Sequence, residues 1–173
     1  MARRGGESDK LGNRYEGVWT VENLLDVLSG QANSLTVEPL GRDALGIEFI
    51  KEKIDGQKEF HSVKRQTTGA AWTISQLISG GPNSILGHLF YKLDAYPNSR
   101  VVFVSSTTAN ELNELTEQAT RLKTLEYFMP LLQEAQWRQK EFDALSTLCG
   151  GKSPLWESYL RCRLSARRTR TAE

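Results

Sequence analysis

Residues 46–66 read GIEFIKEKIDGQKEFHSVKRQ, and how this stretch pairs with itself decides the fold. Two runs of strand composition flank Asp55-Gly56, a strong short-range hairpin signal. Loop length sets which side chains meet. In a two-residue loop of Asp55 and Gly56, Ile54 opposes Gln57, and Glu48 shares a face with Val63, away from Lys64. In a three-residue loop of Ile54, Asp55 and Gly56, Lys53 opposes Gln57. Glu48 then lies directly opposite Ser62, with Lys64 diagonal on the same face. A slip of one residue turns every side chain over. The longer loop sends Ile47, Phe49 and Val63 together to the opposite face, where burial favours them. Gly56 in the left-handed conformation supplies the bulge that loop requires. The reading adopts the three-residue loop, with strands over 46–53 and 58–66.

Outward from the hairpin, residues 1–12 are polar and Gly-containing and read as a disordered tail. Tyr15, Val18, Trp19, Val21, Leu24, Leu25 and Leu28 recur at helical spacing, and Gly30 stops that helix. It begins at Asn13 or is capped later by Thr20. Leu35–Leu40 reads as a short strand ending near Pro39. A helical region from Thr73 to Ala95 is interrupted at Gly80-Gly81-Pro82, and Thr73 with Gln76 has capping-box spacing. Arg100–Ser106 (RVVFVSS) is a continuous apolar strand, as expected when both faces are buried. Thr108 with Glu111 is a second capping box, opening a helix to about Leu122. Helices fill the remainder, broken or restarted at Pro130, ended at Gly150-Gly151 and begun again at Ser153-Pro154.

The order helix, three strands, helix, strand predicts an α+β fold. It is a mixed four-stranded sheet in αβββαβ order, flanked by helices. The core spans 13–122, and 123–173 form a helical C-terminal extension or a linker to further domains.

At 173 residues the chain suits one domain with a sizeable core. Apolar content of 39% and charged content of 25% are those of a soluble globular protein. No run reaches transmembrane length and the N-terminus lacks the apolar centre of a signal peptide, so a cytoplasmic protein without membrane contact is expected. Cys149 and Cys162 lack paired spacing and read as inert thiols in a reducing compartment. The net charge of +1 argues against wholesale coating of nucleic acid. Basic residues nevertheless cluster at the ends: Arg3, Arg4, Lys10 and Arg14, then Arg161, Arg163, Arg167, Arg168 and Arg170. These attract phosphate or are simply solvated tails.

An acid and a lysine on adjacent strands are what metal-dependent phosphodiester hydrolysis needs: a hard oxygen ligand and a cation near the attacked phosphate. Tyr15-Glu16 on the first helix, Gly46-Ile47-Glu48 on the second strand and Ser62-Val63-Lys64 on the third extend this pattern. They sit in the segments NRYEGVWTVENLL, LTVEPLG and HSVKRQ. Through them the chain resembles the Mrr-like, type IV restriction endonuclease-like branch of the PD-(D/E)XK superfamily. Within that branch it looks like the nuclease modules at the N-termini of bacterial antiphage defence proteins.

The resemblance covers roughly residues 13–120. It implies a restriction-endonuclease-like core and metal-dependent endonuclease action on double-stranded DNA. It places Mg²⁺ or Mn²⁺ on Glu16 and Glu48, Lys64 beside the phosphate, and Ser62 where the family has Gln or Glu. It also implies sensor or oligomerisation domains, or self-association, as partners. Serine is a shorter and weaker ligand, so that departure points to a weakened, retuned or silent site.

Other readings compete at single residues. Glu16 is a metal ligand or, three residues after Asn13, half of a capping box. Arg65 and Gln66 follow Lys64 and are expected to touch the DNA backbone. His61 alternates to the other face and is expected to be packed, and His88 reads as a core-edge histidine. Neither has zinc-ligand neighbours. The tryptophans form no stacking stripe. Ser105–Thr108 binds phosphate at a helix N-terminus or, more simply, joins strand to cap. A silent nucleic-acid-binding module, or an interaction domain self-associating through its C-terminal third, stands beside the nuclease reading.

Overall fold

The hairpin closes with a three-residue loop. Lys53 N–H donates to the Gln57 carbonyl (2.9 Å), Gly56 N–H donates to the Lys53 carbonyl (2.9 Å), and Gly56 takes φ 79°. Phe49 pairs with His61, Ile50 with Phe60 and Lys51 with Glu59, so the register of the three-residue loop is the observed one. Ile47, expected to join Phe49 and Val63, instead packs on the opposite face with Phe60, because the chain turns at Gly46 before β2 begins.

The computed structural model describes residues 5–66 and 69–166. The elements are α1 (Gly5–Leu28), β1 (Ala32–Val37), β2 (Phe49–Lys53), β3 (Lys58–Lys64), α2 (Ile74–Leu77), α3 (Ile85–Ala95), β4 (Ser99–Ser105), α4 (Asn110–Leu122), α5 (Leu125–Gln133), α6 (Gln136–Leu148), α7 (Lys152–Arg161) and β5 (Cys162–Ala166). The sheet runs β1-β2-β3-β4-β5. Its first two pairings are antiparallel, and β3-β4 and β4-β5 are parallel. The αβββαβ order and the mixed sheet of β1–β4 are as expected.

Alternation places the two cores. Phe49, Val63, Val102 and Val104 face α1 and pack with Tyr15. Phe60, Val101 and Phe103 face the opposite way into the larger core with Leu89, Leu112, Phe142 and Tyr159 from the later helices. The strand β4 is therefore buried on both sides, which explains its unbroken apolar run.

Several local readings need correction. Residues 5–12, assigned by composition to a disordered tail, belong to α1; residues 1–4 lie outside the described residues. Once Tyr15 and Trp19 anchor the helix, each added turn avoids the cost of nucleation. Asn13 therefore lies inside α1 rather than at its start. The Thr73–Gln76 capping box forms, but Thr108–Glu111 does not: α4 opens at Asn110 without a side-chain cap. Glu111 instead accepts from Ile74 N–H (3.1 Å), tying α4 to α2. Pro130 lies within α5, which tolerates the lost backbone donor and stops three residues later. In the segment expected to be helical throughout, Cys162–Ala166 instead forms β5 on the open edge of β4.

Of the basic ends, Arg3, Arg4, Arg167, Arg168 and Arg170 lie outside the described residues. Arg161 is no solvated tail: its guanidinium donates to the Leu93, Tyr96 and Pro97 carbonyls at the end of α3.

Two buried charges organise the sheet. Beneath α1, Lys51 bonds Asn23 (3.0 Å), Asp26 (3.2 Å) and Glu59 (3.0 Å). Glu59 also faces His61 Nε2 (3.6 Å), whose Nδ1 accepts from the Trp19 indole N–H (3.1 Å). On the other face the Lys92 ammonium, fully buried, donates to the Arg42 carbonyl and approaches Asp43 (3.7 Å). It thereby fastens the 3₁₀ turn at Gly41–Ala44 to α3. Burial lowers the Lys92 pKa, and Asp43 opposes that shift.

The α1-side network makes stability depend on acid. Burial alone would raise the Glu59 carboxyl, but the hydrogen bonds and charges of His61 and Lys51 outweigh it and hold the group far below the carboxylate range. A carboxyl depressed in the folded state adds stability above its unfolded pKa of about 4.3 and loses it as pH falls below that value. Thermal melts should therefore show a decline below about pH 4. Glu59→Gln should lower Tm at neutral pH and flatten this acid limb.

Candidate functional site

The chemistry gathers where β2 and β3 part. The β2 strand ends at Phe49, and Gly46 (φ 69°) turns the chain into it. A Cβ at Gly46 would lie 2.9 Å from His88 Cβ on α3, so the approach requires glycine. At this open end Val63 N–H takes Glu48 Oε2 as its acceptor (2.6 Å), while Glu48 Oε1 pairs with the Lys64 ammonium. The hairpin pairing closes with Phe49 against His61, and Glu48 N–H donates to the His61 carbonyl (3.0 Å). Glu48 thus also faces His61 and is not the direct partner of Ser62 that the sequence leads one to expect. The Ser62 side chain is fully buried, and its Oγ has no hydrogen-bond partner among the described residues.

Glu16 approaches from α1. Its pKa is raised by burial first and by the Glu48 charge second, with Lys64 pulling the other way. The structure thus pairs Glu48 with Lys64 and sets Glu16 within their electrostatic reach. Ser62, expected beside them, alternates with Val63 and lies with Phe60 on the face turned away from α1. The capping-box alternative for Glu16 falls with Asn13.

Arg65 is exposed, as a backbone-contacting residue requires. Gln66 is more constrained than expected. Its amide donates to Gln76 Oε1 (3.4 Å) and accepts from the Thr107 hydroxyl (3.3 Å). Ser105 Oγ accepts from the Trp72 indole (2.7 Å) and from Thr107 N–H (3.3 Å), so the Ser105–Thr108 segment joins the strand to its neighbours. This polar chain beside the Lys64 end of β3 was missed from sequence. Only Gln76 carried a local signal, through the capping box; the other partners are brought together by the fold.

His61 is packed as expected, stacked on Phe49 with ring centroids 4.3 Å apart. Burial pushes the Cys149 and Cys162 thiols up to about 12, which leaves both unreactive near neutral pH. A cleft of about 450 Å³ between α3 and α7 includes none of Glu16, Glu48, Ser62 or Lys64 in its lining.

Among the described residues no group of three or more His, Cys, Asp or Glu side chains could hold a metal ion. The notch offers two carboxylates, Glu16 and Glu48. That set fits Mg²⁺ sparsely, because this ion is often held by one or two carboxylates with water and substrate phosphate completing its shell. No helix of the described residues is long and apolar enough to cross a membrane.

Comparison with protein families, characterised proteins and solved structures finds no match to this chain.

The coupling at the notch is directly measurable. In carboxyl NMR titrations, Lys64→Met should raise the Glu16 pKa and Glu48→Gln should lower it. Failure of the two variants to move Glu16 in opposite directions would separate Glu16 from the site. Lys64 is partly exposed, so Lys64→Met should cost no more than about 1 kcal/mol.

Proposed function

We propose that this chain is a metal-dependent endonuclease domain of the PD-(D/E)XK type, hydrolysing phosphodiester bonds of double-stranded DNA as an effector of bacterial antiphage defence. The observation that carries the reading is the Glu48–Lys64 pair at the parting of β2 and β3, with Glu16 on the adjoining helix.

Glu48 and Glu16 would hold Mg²⁺ or Mn²⁺, with water and substrate phosphate completing the shell. Bound there, the ion would acidify a coordinated water and neutralise the scissile phosphate. Lys64 has two tasks. Before substrate arrives its ammonium compensates Glu48, and at the phosphate it stabilises the charge that develops on the non-bridging oxygens. The Val63 N–H holds one Glu48 oxygen and so fixes the orientation of the other. Arg65 donates to the DNA backbone, and Gln66 positions the loop that follows β3 through Gln76 and Thr107. A cytoplasmic location and attached sensor or oligomerisation domains accord with this role.

A second reading keeps the scaffold and loses the turnover. Ser62 and the sparse donor set favour it, since a chain with few ligands can bind DNA without cutting it. Plasmid cleavage in Mg²⁺ and Mn²⁺ decides between the two. The nuclease reading expects metal-dependent nicking that Lys64→Ala abolishes, with the fold retained by circular dichroism. It also expects Ser62→Gln, which restores a longer oxygen donor, to tighten calorimetric Mn²⁺ binding and raise the rate. Absence of cleavage in both the parent and Ser62→Gln, with DNA binding retained, would establish the silent module.

A further inference from the structure

The helix α1 is apolar on two sides. One side carries Tyr15 and Trp19 against the sheet. The other presents Val18, Val21, Leu25 and Leu28, flanked by Leu24, each between 42% and 75% exposed. A helix with one solvated side should carry charged residues there. These four instead follow a three, four, three spacing, which is the seam of a paired helix.

Charge narrows the occupant. Between residues 14 and 28 the helix has Arg14 against Glu16, Glu22 and Asp26, a balance opposed to nucleic acid or an anionic membrane surface. Arg14 lies one seam step before Val18, and the last turn of α1 has no basic residue. The seam is also nearly symmetric about Val21.

We propose that α1 pairs with α1 of a second copy of this chain, antiparallel, about a two-fold axis at Val21. Val21 then meets Val21 of the partner subunit, and Val18 packs against the partner's Leu25. Arg14 falls beside the carbonyl end of the other helix, near Leu28 of the partner subunit, where a cation is favoured. Parallel pairing would instead set Arg14 against Arg14 of the partner subunit. The pairing does not depend on the chemistry at the notch.

Sedimentation velocity of the full chain at micromolar concentration tests the proposal. A dimer is expected, and Val21→Glu with Leu25→Glu should weaken it roughly a hundredfold or more by setting like charges together in the seam. Both side chains are exposed, so circular dichroism and Tm should hold. Under oxidation Val21→Cys should cross-link to itself. Leu28→Cys should cross-link only when mixed with Arg14→Cys. A parent that stays monomeric, or a dimer that survives the double substitution, overturns the proposal. Self-linking of Leu28→Cys alone overturns the antiparallel order. A monomer that floats with anionic vesicles would reassign the seam to a lipid surface.

Discussion

The carboxylate of Glu48 holds the open end of the sheet together. With one oxygen on Val63 N–H and the other on Lys64, it bridges β2 and β3 where they part. That bridge depends on the three-residue loop at Ile54–Gly56. A loop shorter by one residue would part Glu48 from Val63 N–H and Lys64 and would turn Phe49 out of the layer it shares with Val63 beneath α1. One turn therefore determines both burial and the assembly of the site. The site is not an addition to the hairpin but a consequence of its register.

The two faces of the sheet play different parts in keeping that register. On the α1 side, a chain of charged and ring contacts runs from Asp26 through Lys51, Glu59 and His61 to Trp19. It fastens the helix that carries Glu16 to the strands that carry Glu48 and Lys64. On the other side the helices α3–α7 supply an apolar mass, and the close approach of His88 to Gly46 sets how the chain enters β2. Polar ties thus orient one wall of the notch, and close packing orients the other.

Much of this was legible in the chain, for physical reasons specific to each element. Phe49 and Val63 share a face only in one register, so alternation selected the loop, although Ile47, expected beside them, packs in the opposite core with Phe60. Val101–Val104 announced a strand buried on both sides. Thr73 and Gln76 form a contact within one turn, and such contacts are visible in sequence. Thr108 and Glu111 have the same spacing, yet Glu111 bonds Ile74 N–H from a distant segment. A tertiary partner that competes with a local one leaves no trace in spacing. The strand β5 was hidden because its pairing depends on the free edge of β4. The Lys51–Glu59 pair was hidden because each residue by itself reads as a solvated strand charge. Within the site, Glu48 and Lys64 were readable from the hairpin. The placement of Ser62 away from them follows from how the chain enters β2, and the ties that hold Gln66 depend on three separate segments.

The buried ammonium of Lys92 has a consequence of another kind. Its head lies under the 3₁₀ turn that leads through Gly46 into the strand bearing Glu48, bonded to the Arg42 carbonyl and close to the ring of Phe60. An amine-directed reagent cannot reach it while that turn is seated, although exposed lysines react at once. The rate at which Lys92 is modified is therefore a clock for local opening of the segment preceding the site. It reports how readily that arrangement opens in the intact chain, at a single atom, without disturbing the notch itself.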